Sequence, residues 1–195
     1  MLSIARMRNE QMKLNMRFIK GFSNAMPLDN NSADAIICCQ SFHWMEPIST
    51  LSEINRILKP GGIFAAMTYD WPPIMNWQCE AAFATLWNTL VQIETTLPDV
   101  KTTFQRYPKT EQLSNIRNSG YFRYVREIVF THEENYTVKR MLQTAESLGS
   151  YQIVHKMHPE LINNIFEKLK QTLQNTYGDQ SFTASYCYRM RIGIK

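Results

Sequence analysis

The segment 35–68 limits the possible folds more than any other part of this 195-residue chain. It opens with Ala35-Ile36-Ile37-Cys38-Cys39, a continuous apolar run that predicts a strand buried on both faces of a sheet. In Pro47–Leu58 the apolar residues recur at three- and four-residue steps, which predicts a helix. Lys59-Pro60-Gly61-Gly62 ends that helix, and a second strand is predicted at Ile63–Thr68. Strand, helix and strand form a βαβ unit, so the sequence predicts an α/β fold with parallel strands.

Patterns on either side of this unit add further strands. Met16–Lys20, centred on Phe18, predicts a short strand that would join the parallel sheet. Val125–Phe130 and the alternating residues of Ala184–Ile194 predict two strands that pair antiparallel at the end of the chain. The other periodic segments predict helices at Met1–Gln11, Glu80–Ile93, Lys109–Ser119, Thr137–Ser147 and Pro159–Thr176. We therefore expect a single domain over residues 1–195.

Composition excludes several classes of protein. Hydrophobic residues make up 44% and charged residues 19%, which is typical of a folded globular domain. The net charge of +4 comes from scattered basic residues, so we expect no nucleic-acid partner. No apolar stretch is long enough to cross a membrane and no signal peptide is evident, so we expect a cytoplasmic protein without a membrane partner. Cys38 and Cys39 point to opposite faces of a strand, which predicts reduced thiols and no metal site.

Four short pieces of the chain carry a specific pattern. They are Ala25-Met26-Pro27-Leu28, Ser32-Ala33-Asp34-Ala35-Ile36-Ile37, Phe42-His43-Trp44 and Glu53-Ile54-Asn55-Arg56-Ile57-Leu58-Lys59-Pro60-Gly61-Gly62. In these pieces and their spacing, the chain resembles class I S-adenosylmethionine-dependent methyltransferases. The His43-Trp44 pair is similar to the branch that includes trans-aconitate methyltransferases. Tyr136-Thr137 and Ser147–Tyr151 weakly resemble the substrate-cap region of that branch.

The resemblance implies a fold and a partial domain. It implies a Rossmann-like sheet with helices on both faces that ends in an antiparallel strand, and a helical substrate-cap insertion within residues 72–160. The family's cofactor site starts with a strand and a Gly-x-Gly-x-Gly turn, and the seven glycines of this chain form no such turn. The resemblance therefore implies a chain that lacks the first strand–helix–strand, binds S-adenosylmethionine weakly and methylates slowly.

The expected cofactor contacts lie where ligands bind in open α/β sheets, beyond the carboxyl ends of the strands. By resemblance, the loop after the Phe18 strand meets the adenine of S-adenosylmethionine, through Phe22 and the backbone N–H of Ser23. Phe22 stands where many members have an aspartate; it either stacks on the adenine or belongs to the core. By resemblance, Gln40 lies near the methionine end of the cofactor, where its amide can hydrogen-bond a carboxylate or an amino group.

The acceptor is expected beside the next strand. His43 is a candidate general base because its unperturbed pKa is near neutrality, although a histidine beside a tryptophan also fits a purely structural role. Tyr69 is the second candidate catalytic residue, and Trp44 and Trp71 are candidate substrate-binding residues. Tyr69 and Trp71 also fit the alternative of plain loop residues without a function. Glu53 and Arg56 lie three residues apart on one predicted helix, which indicates a surface ion pair of small energetic value.

Two functions compete at this point. The first is methyl transfer from S-adenosylmethionine to a small-molecule acceptor, a carboxylic acid by resemblance to the His-Trp branch. The second is a non-catalytic methyltransferase-like subunit that binds a partner protein through exposed aromatic residues such as Trp71, Trp77 and Trp87. The sequence leaves the oligomeric state open.

Overall fold

The computed structural model describes residues 2–12, 15–103 and 106–195. The strands of the described chain are β1 (Ala33–Cys39), β2 (Leu58–Tyr69), β3 (Tyr124–Tyr136) and β4 (Phe182–Ile194). The α-helices there are α1 (Leu2–Met12), α2 (Pro47–Ile57), α3 (Trp77–Thr96), α4 (Pro98–Lys101), α5 (Gln112–Asn118), α6 (Val138–Glu146), α7 (Gly149–Met157) and α8 (Asn163–Tyr177). Short 3-10 turns lie at Phe42–Trp44, Lys109–Glu111 and Pro159–Leu161.

The strands form one mixed sheet in the order β1-β2-β4-β3. β1 and β2 run parallel, with Ile36 opposite Phe64, as the βαβ pattern predicts. β4 lies antiparallel between β2 and β3, with Phe130 opposite Tyr188. The predicted Rossmann-like α/β sheet with a closing antiparallel strand is therefore confirmed. The predicted turn at Lys59-Pro60-Gly61-Gly62 instead lies inside β2, which begins at Leu58; Gly61, at φ +80°, belongs to the stretch between Leu58 and Ile63 where the pairing with β1 shifts its register.

One face of the sheet packs against α2 and α5. Its core contains Leu51 and Ile54 of α2, Ile116 of α5 and Phe64 of β2, all at most 2% exposed. Gly193 of β4 lies on this face, where an added Cβ would come within 2.8 Å of the Phe122 ring. The opposite face carries the even-numbered residues of β4, Ala184 and Tyr186 among them, which pack against α3, α6, α7 and α8. Helices cover both faces, as expected.

Two expectations about the start of the sheet are wrong. Residues 15–21, which include Phe18, adopt neither helix nor strand. A strand needs a neighbour for its backbone hydrogen bonds, and within the described ranges none pairs with this segment. β1 is also not buried on both faces, because Cys38 is buried whereas Ile37 is 64% exposed. The helices behind β1 cover only the face that carries Cys38.

The helices agree with the sequence patterns except around residues 98–101, 109–120, 149–157 and 159–161. α4 has no counterpart among the predicted helices, and the predicted helix over Pro159–Thr176 begins with a 3-10 turn. The predicted helix over Lys109–Ser119 divides into a 3-10 turn at Lys109–Glu111 and the shorter α5. α7 has no counterpart among the predicted helices. The predicted cap region, 72–160, spans α3 to α7 and also contains β3, a strand of the sheet. Its role as a substrate cap stays a prediction.

Candidate functional site

The carboxyl ends of the parallel strands β1 and β2 border two adjoining cavities. We call them the β1 cavity, lined by the loop of residues 21–28, β1 and α2, and the β2 cavity, lined by residues that follow β1 and β2. Gln40 begins the connection after β1 with a left-handed backbone, at φ 49°. Its N–H donates to the carbonyl oxygen of Met67 on β2 at 2.9 Å, which ties this turn to the sheet. Such strained turns are common at functional sites.

The β1 cavity has a volume of about 340 Å³ and mostly apolar walls. Ile36, Ile37 and Cys38 of β1 line it, together with Phe22 and Ser23 of the loop. Phe22 is 79% exposed, so it is not a core residue. The hydroxyl of Ser23 lies 3.1 Å from the hydroxyl of Thr50 on α2, which attaches the loop to the helix.

A network around Arg56 holds the outer wall of the β1 cavity. The guanidinium donates to both carboxylate oxygens of Glu53, each at 2.8 Å. It also donates to the carbonyl oxygens of Leu28 at 2.8 Å and Met26 at 3.1 Å. The Glu53 carboxylate accepts the N–H of Met26 at 2.7 Å, and these hydrogen bonds lower the pKa of Glu53. The predicted ion pair is therefore also a link between α2 and the loop that lines the cavity.

The β2 cavity, about 190 Å³, brings together five of the seven candidate site residues. These are Gln40, His43, Trp44, Tyr69 and Trp71. Gln40, the candidate contact for the methionine end of the cofactor, faces this cavity rather than the β1 cavity. The remaining lining residues come from distant parts of the chain: Trp87, Arg106, Lys109 and Ser147-Leu148-Gly149-Ser150. Their assembly is a tertiary effect, because they lie on three separate segments.

Arg106 and Lys109 make the β2 cavity electropositive. Lys109 Nζ donates to Oε1 of Gln40 at 3.2 Å. The pKa of Lys109 is lowered to about 8, chiefly by burial, and the charges of Arg106 and Arg191 contribute in the same direction. Arg106 lies with its guanidinium carbon 4.6 Å from the centre of the Trp44 ring and pairs with Glu94 at 3.1 Å. The basic residues are scattered along the sequence, so no local pattern predicts that Arg106 and Lys109 form this positively charged cluster.

The same environment sets the protonation of the two candidate catalytic residues. Burial lowers the pKa of His43 to about 4, and Lys109 and Arg106 act in the same direction. Burial raises the pKa of Tyr69 to about 12. At neutral pH, His43 is therefore a neutral imidazole and Tyr69 a neutral phenol. A histidine with so low a pKa is a weak base, which makes contact with the acceptor a better role for it than proton abstraction.

The aromatic residues of the β2 cavity form a packed wall. The ring of Trp71 stacks on Trp87 at 5.9 Å and on Phe83 at 5.4 Å, and meets Tyr69 edge-on at 4.9 Å. Trp71 and Trp87 are half-buried in this wall, so the expectation that they are exposed is wrong. Trp77, at 72% exposed, is the one residue of that predicted trio on the surface.

The described residues contain no candidate metal site and no candidate membrane span. Within the described ranges, no three or more of the metal-binding residue types His, Cys, Asp and Glu are grouped so that they could hold an ion. All four cysteines are free thiols. The described helices include none with the length and apolar character to span a bilayer.

Comparison with known proteins agrees with the geometry. The model of the methyltransferase domain family matches residues 1–66. An uncharacterised methyltransferase of Mycobacterium tuberculosis is 32% identical over 88 residues, which are 45% of this chain and 36% of that protein. Cycloartenol-C-24-methyltransferase 1 of Oryza sativa is 29% identical over 89 residues, 45% of this chain and 25% of that protein. The chain thus spans about a third of the length of the first of these relatives.

Two solved structures share the fold. A protein of Anaeromyxobacter dehalogenans, proposed to be a type II methyltransferase, superposes with a TM-score of 0.60 at 15% identity and covers 95% of this chain and 76% of its own. The YcgJ protein of Bacillus subtilis superposes with a TM-score of 0.56 at 15% identity and covers 100% of this chain and 78% of its own. The trans-aconitate branch has no support among these matches and stays a prediction. The family match over residues 1–66 and the curated relatives show that the first part of the chain is similar to methyltransferases, and the two solved structures show a shared fold.

Proposed function

We propose that the chain is part of an enzyme that transfers a methyl group from S-adenosylmethionine to a small carboxylic acid. The observation that carries the proposal is the pair of adjoining cavities at the carboxyl ends of β1 and β2. One holds the candidate cofactor residues Phe22 and Ser23. The other holds the candidate acceptor residues, so a donor and an acceptor bound there would be neighbours. Alignment of two reactants is the main requirement of methyl transfer.

The β1 cavity fits the adenosine part of the donor. An adenine has two apolar faces and a polar edge. The apolar side chains of Ile36, Ile37 and Cys38, which line the cavity, can contact one of the faces. The exposed ring of Phe22 can stack on the other face. When bound, S-adenosylmethionine supplies an electrophilic methyl group on a sulfonium. We propose that Gln40, with its side chain in the adjoining cavity, lies near the methionine end.

The β2 cavity is suited to an acid. At neutral pH a carboxylate has no proton to lose, so the chain needs no general base. We propose that His43 and Tyr69 position the acceptor, and that Trp44 and Trp71 bind its body and exclude water. Loss of one such contact commonly costs about 10²-fold in turnover or more when it acts in the transition state.

The first prediction concerns Phe22. We expect the intact chain to bind S-adenosylhomocysteine with about millimolar affinity, and Phe22→Ala to weaken that binding by about tenfold, because base–aromatic stacking contributes ~1–3 kcal/mol. Isothermal titration gives both constants. Trp77→Ala, which removes another exposed ring outside both cavities, is the matched control and should leave the affinity unchanged.

Equal affinities of the wild type and Phe22→Ala would remove Phe22 from the site. If the folded chain bound no S-adenosylhomocysteine, the donor site would be wrong, and the alternative of a methyltransferase-like subunit that binds a partner protein would be favoured.

A further inference from the structure

Two buried polar atoms of the residues that line the β2 cavity have no hydrogen-bond partner among the described residues. Lys109 can only donate, so the Gln40 atom that faces it is Oε1, and Nε2 of Gln40 points elsewhere. Nε2 of Gln40 is buried and, within the described part of the chain, has no hydrogen-bond partner. The same holds for Nδ1 of His43, a residue that is only 6% exposed. Buried polar groups without partners are rare in folded proteins, and they indicate a ligand that completes them.

The charge of the cavity indicates the sign of that ligand. No described carboxylate lies within 4.0 Å of Lys109 Nζ. The nearby acidic groups are already paired, Asp70 with Arg189 at 3.0 Å and Glu94 with Arg106 at 3.1 Å. Arg191, whose charge also acts on Lys109, is buried and pairs with Glu127 at 2.7 Å. Lys109 is therefore a half-buried cation whose charge is best compensated by an anion in the cavity.

The walls indicate the shape of the ligand. Tyr69, Trp71 and Trp87 form a continuous aromatic surface, and Trp44, beside Arg106, also lines the cavity. A volume of about 190 Å³ admits a small molecule only. Rings of this kind bind flat apolar groups by stacking or edge contacts.

We propose that the β2 cavity binds its acceptor as an anion, a carboxylate attached to a flat apolar body, with Lys109 as the anchoring residue. Lys109 Nζ and Nε2 of Gln40 donate to the carboxylate, and the aromatic wall holds the body. This inference rests on the proposed function, since it names the class of acceptor and the residue that selects it. Lys109 is a specificity-determining residue in this view, and it is outside the resemblance-based candidate residues.

The test uses three probes of one shape and different charge: benzoate, benzamide and benzamidine. Each is titrated calorimetrically into the intact chain at pH 7, without a methyl donor. We expect benzoate to bind at least about tenfold more tightly than neutral benzamide, because a charge-assisted hydrogen bond is stronger than a neutral one, and cationic benzamidine not to bind. Lys109→Gln should weaken benzoate binding by about tenfold and leave benzamide unchanged. Lys101→Gln, an exposed lysine of α4, is the matched control.

Equal affinities for benzoate and benzamide, or no measurable binding of any probe, would overturn the inference, as would unchanged benzoate binding in a folded Lys109→Gln chain. If that variant does not fold, Lys109→Arg keeps the charge and should retain the preference for benzoate; the probe series on the wild type needs no variant at all. The result of the benzoate series can be distinguished from the result of the S-adenosylhomocysteine titration. Benzoate binding without S-adenosylhomocysteine binding would leave the anion site and reject the proposed methyl transfer, and the reverse would leave the donor site and reject the carboxylic acid as the acceptor.

Discussion

At the scale of single residues, the two cavities differ in what surrounds their polar groups. In the β1 cavity the polar groups of Ser23 and Met26 have partners on α2, so they shape the wall. In the β2 cavity the buried polar atoms of Gln40 and His43 have none among the described residues, so they are available to a ligand. Residue type alone does not distinguish these situations, because the difference lies in what each atom touches.

His43 makes stability depend on pH. Its pKa is lowered from 6.5 to about 4 in the folded chain, so between these values the unfolded chain binds the additional proton. Stability is therefore fully present above pH 6.5 and falls as the pH drops toward 4. We expect a loss of roughly 2–3 kcal/mol in the free energy of unfolding across this window.

Denaturant unfolding of the wild type and His43→Phe at several pH values measures this contribution. At pH 7 both side chains are neutral, so the difference there gives the packing change alone. Below pH 6.5 the wild type should lose stability faster than His43→Phe. Parallel curves from pH 7 to pH 4 would show that the imidazole takes up its proton in the folded chain.

At the scale of elements, most boundaries follow from sequence periodicity, and two of the exceptions line the site. Lys109 lies on a 3-10 turn where the sequence predicts the first turn of an α-helix. Gly149 and Ser150 begin α7, which no pattern predicts. Such short elements are stabilised by packing rather than by their own propensity, because nucleation of an isolated helix is unfavourable.

The link between α2 and the loop of residues 21–28 allows a second test. The amide of Met26 donates to the Glu53 carboxylate, which Arg56 holds in place with a bidentate contact. Arg56→Lys keeps the charge but loses the planar fork, so we expect amide hydrogen exchange of Met26 to become about tenfold faster.

Lys59→Met removes another ion pair near this region, the exposed contact of Lys59 with Asp34 at 2.8 Å, and serves as the control. It should leave exchange of the Met26 amide unchanged. Wild-type exchange in Arg56→Lys would mean that the loop is held without the guanidinium.

At the scale of the whole molecule, β1 lies at an edge of the sheet. β2 and β4 are flanked by strands on both edges, whereas the described residues provide β1 with β2 as its sole partner. Ile37 on this strand is 64% exposed. An apolar strand with an unpaired edge is a site of self-association.

We therefore expect concentration-dependent aggregation of the 195-residue chain and expect Ile37→Lys to slow it several-fold, because a charge on an edge strand disfavours pairing with another copy. Light scattering over a concentration series measures the rate. Ile48→Lys changes an isoleucine that is 78% exposed on α2, away from any strand edge, and controls for added charge. Equal rates in both variants would place the self-associating surface elsewhere.

The sequence by itself determined the βαβ unit and the antiparallel closing strand, because each depends on local periodicity. It also predicted, in part by resemblance, that Gln40, His43, Trp44, Tyr69 and Trp71 lie at one edge of the sheet, where the residues after parallel strands meet; their roles stay predictions. The tertiary structure alone decided that residues around Phe18 form no strand and that Ile37 is exposed, since both depend on whether a neighbouring segment is present. It alone brought Arg106, Lys109 and Ser147–Ser150 to the β2 cavity. The pKa of His43 depends first on its burial and then on the charges of Lys109 and Arg106, and because both effects come from residues distant in the chain, no local pattern contains them.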